Sequence, residues 1–360
     1  MIAKNIIQKI LLFVLFFLPF KGFSSEESKD KELDIIGMIM HHISDSHEFH
    51  IADVGGHAIS FPLPVILWTD NGLVTFMSSE FHHDNDGKVV VERGGQKFVR
   101  YHEEIYYVNA EGGVTFDEKK HATNSRPLNF SITKNVFSLI VVSVLMLLVF
   151  IPMANSYKKN QKAPKGVAGL LEPLVLFVRD DIAIPQIGEK KYARYMPYLL
   201  TIFFLIWFGN LFGLIPFFPF AGTLTNDILF TGFLATATFL ITLFSSNKHY
   251  WKHIFATPGV PLWLAPIMIP VEVLGMFTKP FALMVRLFAN ITAGHIIILS
   301  LISLIFVFGT VWIAPVSILF ALFINVLELL VAVLQAYVFT LLSALFIGGA
   351  VAEDHHDEHH

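Results

Sequence analysis

VEVLGMFTKPFALMVRLFANITAGHIIILSLISLIFVF, residues Val271–Phe308, is the stretch that decides the fold. It lies inside an apolar run from Val260 to Trp312, and a second such run follows from Ala314 to Ala350. Helices of ~40 residues at 1.5 Å per residue reach about 60 Å, twice the hydrocarbon thickness of a bilayer. Such helices must tilt strongly, bend at their prolines or extend beyond the lipid. The whole chain agrees with this reading. Of its 360 residues 54% are hydrophobic and only 15% charged, and mean hydropathy is +0.61, whereas soluble domains carry about 25% charged residues. A net charge of −4 favours neither nucleic acid nor a polybasic surface. The absence of cysteine excludes disulfides, thiolate metal sites and cysteine nucleophiles.

Three shorter spans precede the two long ones. Val136 to Ala154 is followed by Lys158, Lys159, Lys162 and Lys165, a cluster that marks a cytoplasmic exit by the positive-inside rule. Gly166 to Ile187 carries Glu172, Arg179, Asp180 and Asp181 among apolar residues and reads as an amphipathic helix lying on that face. Tyr198 to Phe220 crosses outward, and Ile228 to Phe244 returns to Lys248, His249, Lys252 and His253. About five spans in total place residues 133–352 in the membrane and the acidic, His-rich tail 353–360 in the cytoplasm.

The first 132 residues are of another kind. Lys4 and Lys9 flank the start of a short apolar run, Ile10 to Phe20, and small residues follow at Gly22, Ser24 and Ser25. That pattern describes a signal peptide over 1–25; a retained anchor is the alternative, disfavoured because a run of ~11 residues is short for a span. Residues 26–132 then read as a small exported β-rich domain. His57 to Trp68, Leu73 to Met77, Lys88 to Glu92, Gln96 to Tyr101 and Ile105 to Val108 have strand character. Asn71-Gly72 and Asp86-Gly87 supply hairpin signals. The histidines here (among them His41, His42, His47, His83, His102 and His121) lack the spacing of a zinc motif and read as polar surface. The fold class is therefore mainly α, a polytopic membrane protein with a β-rich N-terminal domain. That domain is expected to be dispensable for the chemistry of the spans, since their polar path lies wholly beyond residue 200.

Ionisable residues in the long runs are Glu272, Lys279, Arg286, His295 and Glu328. Each costs at least ~2.5–3.5 kcal/mol at mid-membrane on insertion scales, so such residues are normally functional, although they could also pair only with one another. At 100° per residue Glu272, Lys279, Arg286 and Asn290 share one broad face of a helix, and His295 points to the opposite side. Glu328 and Gln335 share a face of the last span. With the two helices antiparallel and Gln335 level with Arg286, Glu328 comes within a turn of His295. Two polar paths then lie offset on either side of one fixed positive charge.

Arg286-Leu287-Phe288-Ala289-Asn290 with Ala293-Gly294-His295 resembles the arginine motif of subunit a of the rotary F-type ATP synthases. The likeness extends to Glu272, Lys279-Pro280, Glu328 and Leu334-Gln335-Ala336-Tyr337-Val338-Phe339. Asn210-Leu211-Phe212-Gly213 with Leu214-Ile215-Pro216, and Thr225-Asn226-Asp227 with Thr231, resemble further family motifs, so that roughly residues 130–352 are covered. The resemblance implies a non-catalytic, proton-translocating stator subunit of a bacterial inner membrane. Its implied partners are a ring of c subunits, peripheral-stalk b subunits and the lipid bilayer; no nucleic acid, cofactor or metal is implied. It assigns proton translocation to Asp227, Glu272, Arg286, Asn290, His295, Glu328 and Gln335. Many members have glutamate where this chain has His295 and histidine where it has Glu328, and many have only a short N-terminus. Two other readings have less in their favour. A secondary transporter would show internal repeats, and an intramembrane hydrolase would need a Ser/His or paired-Asp arrangement within the spans.

Overall fold

The computed structural model describes residues 44–54, 57–109, 112–117, 121–160, 166–215, 224–255, 265–309 and 311–352. The signal-peptide reading of residues 1–25, Lys162 and Lys165, and the tail 353–360 lie outside the described residues.

The β domain contains β1 (Glu48–Val54), β2 (His57–Pro62), β3 (Pro64–Thr69), β4 (Gly72–Met77), β5 (Asp86–Arg93), β6 (Gln96–Tyr101), β7 (Glu104–Tyr107) and β8 (Leu128–Asn129). They form an antiparallel β1–β2 pair and two three-stranded sheets, ordered β4-β3-β8 and β5-β6-β7. Alternation along β3 and β4 turns Val65, Leu67, Val74 and Phe76 inward, where they meet Phe81, Val91, Phe98 and Ile105. The Thr69–Gly72 turn closes a hairpin as expected, with Thr69 opposite Gly72.

Two expectations change. The run from His57 to Trp68 is two strands in different sheets, divided at Leu63; prolines at 62 and 64 remove two ladder donors and favour the break. Asp86-Gly87 is not a hairpin turn but the bulged start of β5, where register slips between Asp86 and Val90. The cause is Asp84, whose carboxylate accepts hydrogen bonds from the N–H groups of Asp86, Lys88 and Val89 at 3.2, 2.6 and 2.8 Å. Gly87, at φ +76°, supplies the backbone conformation this needs.

The helical part comprises α1 (Lys134–Asn160), α2 (Val167–Phe177), α3 (Ile184–Ile187), α4 (Tyr192–Gly213), α5 (Ile228–Ser245), α6 (Lys248–Phe255), α7 (Ala265–Phe308) and α8 (Ala314–Val351). Five of them, α1, α4, α5, α7 and α8, are long and apolar enough to cross a membrane. The first is longer than its apolar run, because the helix continues through the residues after Ala154; lysine is a good helix former and its charge needs only to lie beyond the hydrocarbon. The longest, α7, has 44 residues with Pro270 and Pro280 inside it, and α8 has 38.

The amphipathic segment is one helical path in which α2 and α3 are joined by a π-helical stretch, Val178–Ala183. Its face toward the core buries Val178, Ile182, Ala183 and Ile187 against Leu199, Ile202, Phe203 and Ile206 of α4 and against Ala344 and Ile347 of α8. The opposite face carries the exposed Arg179–Asp180 ion pair at 2.7 Å. At the end of α8 the approach is closest. A Cβ on Gly348 would stand 1.8 Å from the carbonyl oxygen of Gln186, so only glycine fits there. Carbonyls left open by the helix terminus are met by Asn247, whose N–H donates to Ala350 O at 2.9 Å, and by Lys191 Nζ, which donates to Val351 O at 2.8 Å.

The β domain is joined to α1 by a strap of three hydrogen bonds. The Lys134 N–H donates to Ser46 O at 2.8 Å, Lys134 Nζ to Ser44 O at 3.1 Å, and the Asn135 N–H to Asp45 Oδ1 at 2.9 Å. Beside the strap, Phe137 of α1 packs edge-on against Phe49, with ring centroids 5.4 Å apart.

Candidate functional site

Helices α7 and α8 run antiparallel, since contacts pair Lys279 with Phe346 and His295 with Glu328. The core stripe of α7 is Leu283, Leu287 and Ile291, repeating every four residues. This face meets α8, whose buried residues include Glu328, Ala332, Gln335, Ala336 and Phe339. The expected sharing of one face by Glu328 and Gln335 is therefore present. So is the match in depth between helices: Glu328 Oε1 lies 3.5 Å from His295 Nδ1.

Glu328 is 4% exposed and occupies space that the sequence keeps open for it. A Cβ on Gly294 would stand 2.7 Å from Glu328 Oε1. Around the pair is a narrow crevice lined by Asn210, Leu214, Ile291, His295, Glu328 and Ala332. Neither carboxyl oxygen accepts a hydrogen bond, and the amide nitrogen of Asn210 is likewise buried without a partner. Buried polar groups normally find partners, and a lone carboxylate here is costly. A carboxyl group so placed is suited to exchanging a proton with the imidazole or with water rather than to holding a structure together.

A hydroxyl and amide network continues from the crevice toward the end that carries the β domain. The Thr225 hydroxyl donates to Asn210 Oδ1, and the Thr292 hydroxyl donates to Asn226 Oδ1 at 3.1 Å. Asp227 follows as the N-cap of α5, its Oδ1 accepting from Leu229 N–H at 2.8 Å, the usual use of aspartate at that position. A second polar line, Tyr198–Thr238–Ser343, joins α4, α5 and α8 with O···O distances of 2.6 and 3.2 Å. Sequence reading passed over these three residues. Their signal is weak, since a single hydroxyl in an apolar helix usually bonds its own backbone.

Arg286, Asn290 and Lys279 are exposed on α7, away from the core stripe. Among the described residues no carboxylate pairs with Arg286, so the sites are not one cluster. Glu272 lies fourteen positions before Arg286, toward the other end of α7. There a cavity of about 290 Å³ is lined in part by Thr242, His249, Tyr250, His253, Lys279 and Ala352. Burial, with a contribution from the Glu272 charge, pushes the Tyr250 phenol above its ordinary range. Among the described residues no group of three His, Asp or Glu is placed to hold a metal.

A crossing-helix bundle with an acid–imidazole pair between its two longest helices, and a guanidinium on their uncovered side, defines a class: membrane proteins that move protons or ions past fixed side chains. Comparison with known sequences narrows the class. A family model described as ATP synthase A chain matches residues 136–348, and the chain belongs to that family. A separate model, a domain of unknown function (DUF8433), matches residues 38–130. The chain is similar to ATP synthase subunit a of Chloroherpeton thalassium, 52% identical over 240 residues that make up 64% of this chain and 70% of the relative. It is 47% identical to ATP synthase subunit a of Myxococcus xanthus over 239 residues, 65% of this chain and 77% of the relative. ATP synthase subunit a 2 of Chlorobaculum tepidum is 49% identical over 240 residues, 64% of this chain and 66% of the relative. Membership in the family brings ATP synthesis and proton transport by the membrane sector.

Proposed function

We propose that this chain is the stator subunit that guides protons to and from a rotating ring of c subunits through two offset half-channels. The observation that carries the reading is the His295–Glu328 contact in a buried crevice, on the side of α7 opposite Arg286. Along the helix axis His295 is about 13 Å from Arg286, and Glu272 is about 21 Å from it in the other direction. One titratable site thus lies to each side of a fixed cation.

In this mechanism protons reach His295 and Glu328 by way of Asp227 and the Asn226–Thr292 and Asn210–Thr225 contacts. From there, with Asn290 and Gln335 beside the path, they protonate a ring carboxylate. The neutral carboxyl rotates through lipid, where its ionised form is too costly. It releases its proton near Glu272 into the cavity that includes His249 and His253. Arg286 stays charged at any working pH, favours the ionised ring carboxylate beside it and keeps protons from leaking directly between the paths. The driving force is about 2.3 kcal/mol per charge per 100 mV. The uncovered apolar faces of α7 and α8 suit the ring as partner, with b subunits and lipid around the remainder.

The β-rich domain, over 26–132 after a signal peptide of 1–25, lies outside the cytoplasm of a bacterial inner membrane. The bundle spans 133–352, and the tail 353–360 is cytoplasmic. ATP chemistry belongs to the soluble sector. The test is Arg286→Ala in inverted vesicles, with expected loss of ATP-driven acidification while ATP hydrolysis persists. Normal acidification by that variant would remove the mechanism.

A further inference from the structure

We propose that Asp45, in the strap between the β domain and α1, is a second carboxylate of the outer mouth and takes up protons jointly with Asp227. The inference rests on the proton-translocating reading above. It gives the N-terminal domain a part in that path, and narrows the dispensable portion of residues 26–132 to what lies beyond the strap.

Asp45 and Asp227 have matching positions. Each carboxylate accepts a backbone N–H in the first turn of a membrane-crossing helix, Asp45 from Asn135 of α1 and Asp227 from Leu229 of α5. The 3-10 turn Leu224–Asn226, which immediately precedes Asp227, packs against α1, α4, α5 and α7. It therefore ties α1 to the network that leads to the crevice, through Thr225–Asn210 and Asn226–Thr292. The two carboxylates are near enough for the charge of one to act on the other.

The surroundings of Asp45 favour its protonated form more than water would. Partial burial raises its proton affinity above that of an ordinary carboxyl, and the Asp227 charge adds to this; the N–H of Asn135, the Thr133 hydroxyl and Lys134 oppose it. Lys134 is itself within electrostatic range of Glu103, from the β6–β7 turn. Glu103 stands 3.9 Å from the buried His47, two residues beyond Asp45. Asp45, Lys134, Glu103 and His47 thus form a group of titratable side chains at the end of α1. A helix cap alone would need only the oxygen; two carboxylates at one mouth raise the local supply of protons for the path behind them.

Asp45→Asn separates the two roles, because asparagine keeps an oxygen for the Asn135 N–H and loses the acid. The measurement is ATP synthesis by inverted vesicles, whose lumen corresponds to the outer face, at varied luminal pH and constant driving force. Asp45→Asn should be near normal at acidic luminal pH and should fall by up to about ten-fold at the alkaline end, the low end of what a charged cleft gives an on-rate. Asp45→Glu should restore the alkaline arm. Combined with Asp227→Asn, the loss should be less than the product of the two single losses, as for groups sharing one step. A profile for Asp45→Asn that matches wild type, or one lowered equally at every pH, overturns the proposal. An Arg286→Ala control separates the outcomes. If it is inactive while Asp45→Asn is silent, only the role of Asp45 fails; if it pumps, the underlying reading fails.

Discussion

Gly294 and Glu328 are fitted to each other across the two longest helices, with the carboxyl occupying the volume that a methyl group on residue 294 would take. The contact is between backbone and side chain, so a substitution on either helix is felt on the other. It also explains why a small residue stands directly before His295: the imidazole and the carboxyl can meet only if the preceding position leaves the carboxyl room.

Gly294→Ala should therefore act as a mutation of Glu328. The added methyl, 2.7 Å from Oε1, forces the carboxyl out of its place; because that group is the far end of a flexible side chain it can swing aside, so the effect falls on the position of the acid rather than on the fold. ATP-driven acidification should drop severely at unchanged subunit content on a native gel. Wild-type acidification would mean that the position of the carboxyl is not critical.

The exchange His295→Glu with Glu328→His tests the pair itself. Each single exchange puts two like groups in contact, which disfavours simultaneous charging. The double exchange restores one carboxyl and one imidazole, and should recover more acidification than either single variant at matched assembly. Purely additive losses would show the two residues acting independently.

Gly348→Ala should prevent assembly rather than slow proton transfer. A Cβ there collides with the Gln186 backbone, and backbone cannot swing away as a side chain can. The expected result is loss of the subunit from the assembled membrane sector by immunoblot. Gly349→Ala is the control, because open space surrounds that position.

Asp84 gives the β domain an acid-sensitive joint. Burial raises its carboxyl affinity for protons, but hydrogen bonds from Val89, Asp86 and Lys88 together outweigh this and hold it below the ordinary 3.8. The sign follows from linkage: a group with a depressed folded value stabilises the fold fully above the unfolded value, and that support is lost as pH falls through the folded one. Asp84→Ala should speed proteolysis of the β5 region at neutral pH. The difference from wild type should shrink below about pH 3.8. A difference independent of pH would assign the effect to packing.

Protease added to intact spheroplasts should cut within residues 26–132 and spare an epitope placed on the tail 353–360. Cleavage of the tail instead would invert the proposed orientation.

Much of this was legible in the sequence for a physical reason: lipid imposes rules on long segments. Apolar runs located the five helices long enough to cross, the 100° rotation per residue separated Arg286 from His295, and an antiparallel register of the two long helices put Glu328 at the depth of His295, where they meet. The β domain was read less well. Its hairpin at Thr69–Gly72 is a local event and was visible, whereas the break at Leu63 and the bulge at Gly87 depend on which sheet each strand joins. The tertiary contacts of the strap and of Gly348 left no trace, because one aspartate 90 residues before its partner Asn135, or one glycine in a Gly-Gly-Ala run, has no periodicity to betray a partner so far along the chain.

The π-helical stretch Val178–Ala183 sets the rotational phase of everything that follows it. The Ile184 N–H reaches back to Arg179 O, five residues earlier, where an α-helix would reach four. A stretch paired five residues apart holds one residue more than the α-helix that would cover the same rotation, and α3 keeps the phase that buries Ile187 and faces the Gln186 carbonyl to Gly348. Removing one residue and returning the stretch to α-helical pairing would leave that phase nearly unchanged, whereas one further residue, with the slack already taken up, would turn α3 by about 100° relative to α2. The stretch is one residue of slack in an otherwise stiff shaft, and the chain should tolerate deletion of Asp180 or Asp181 far better than insertion of a residue beside them, as subunit abundance in the membrane would reveal.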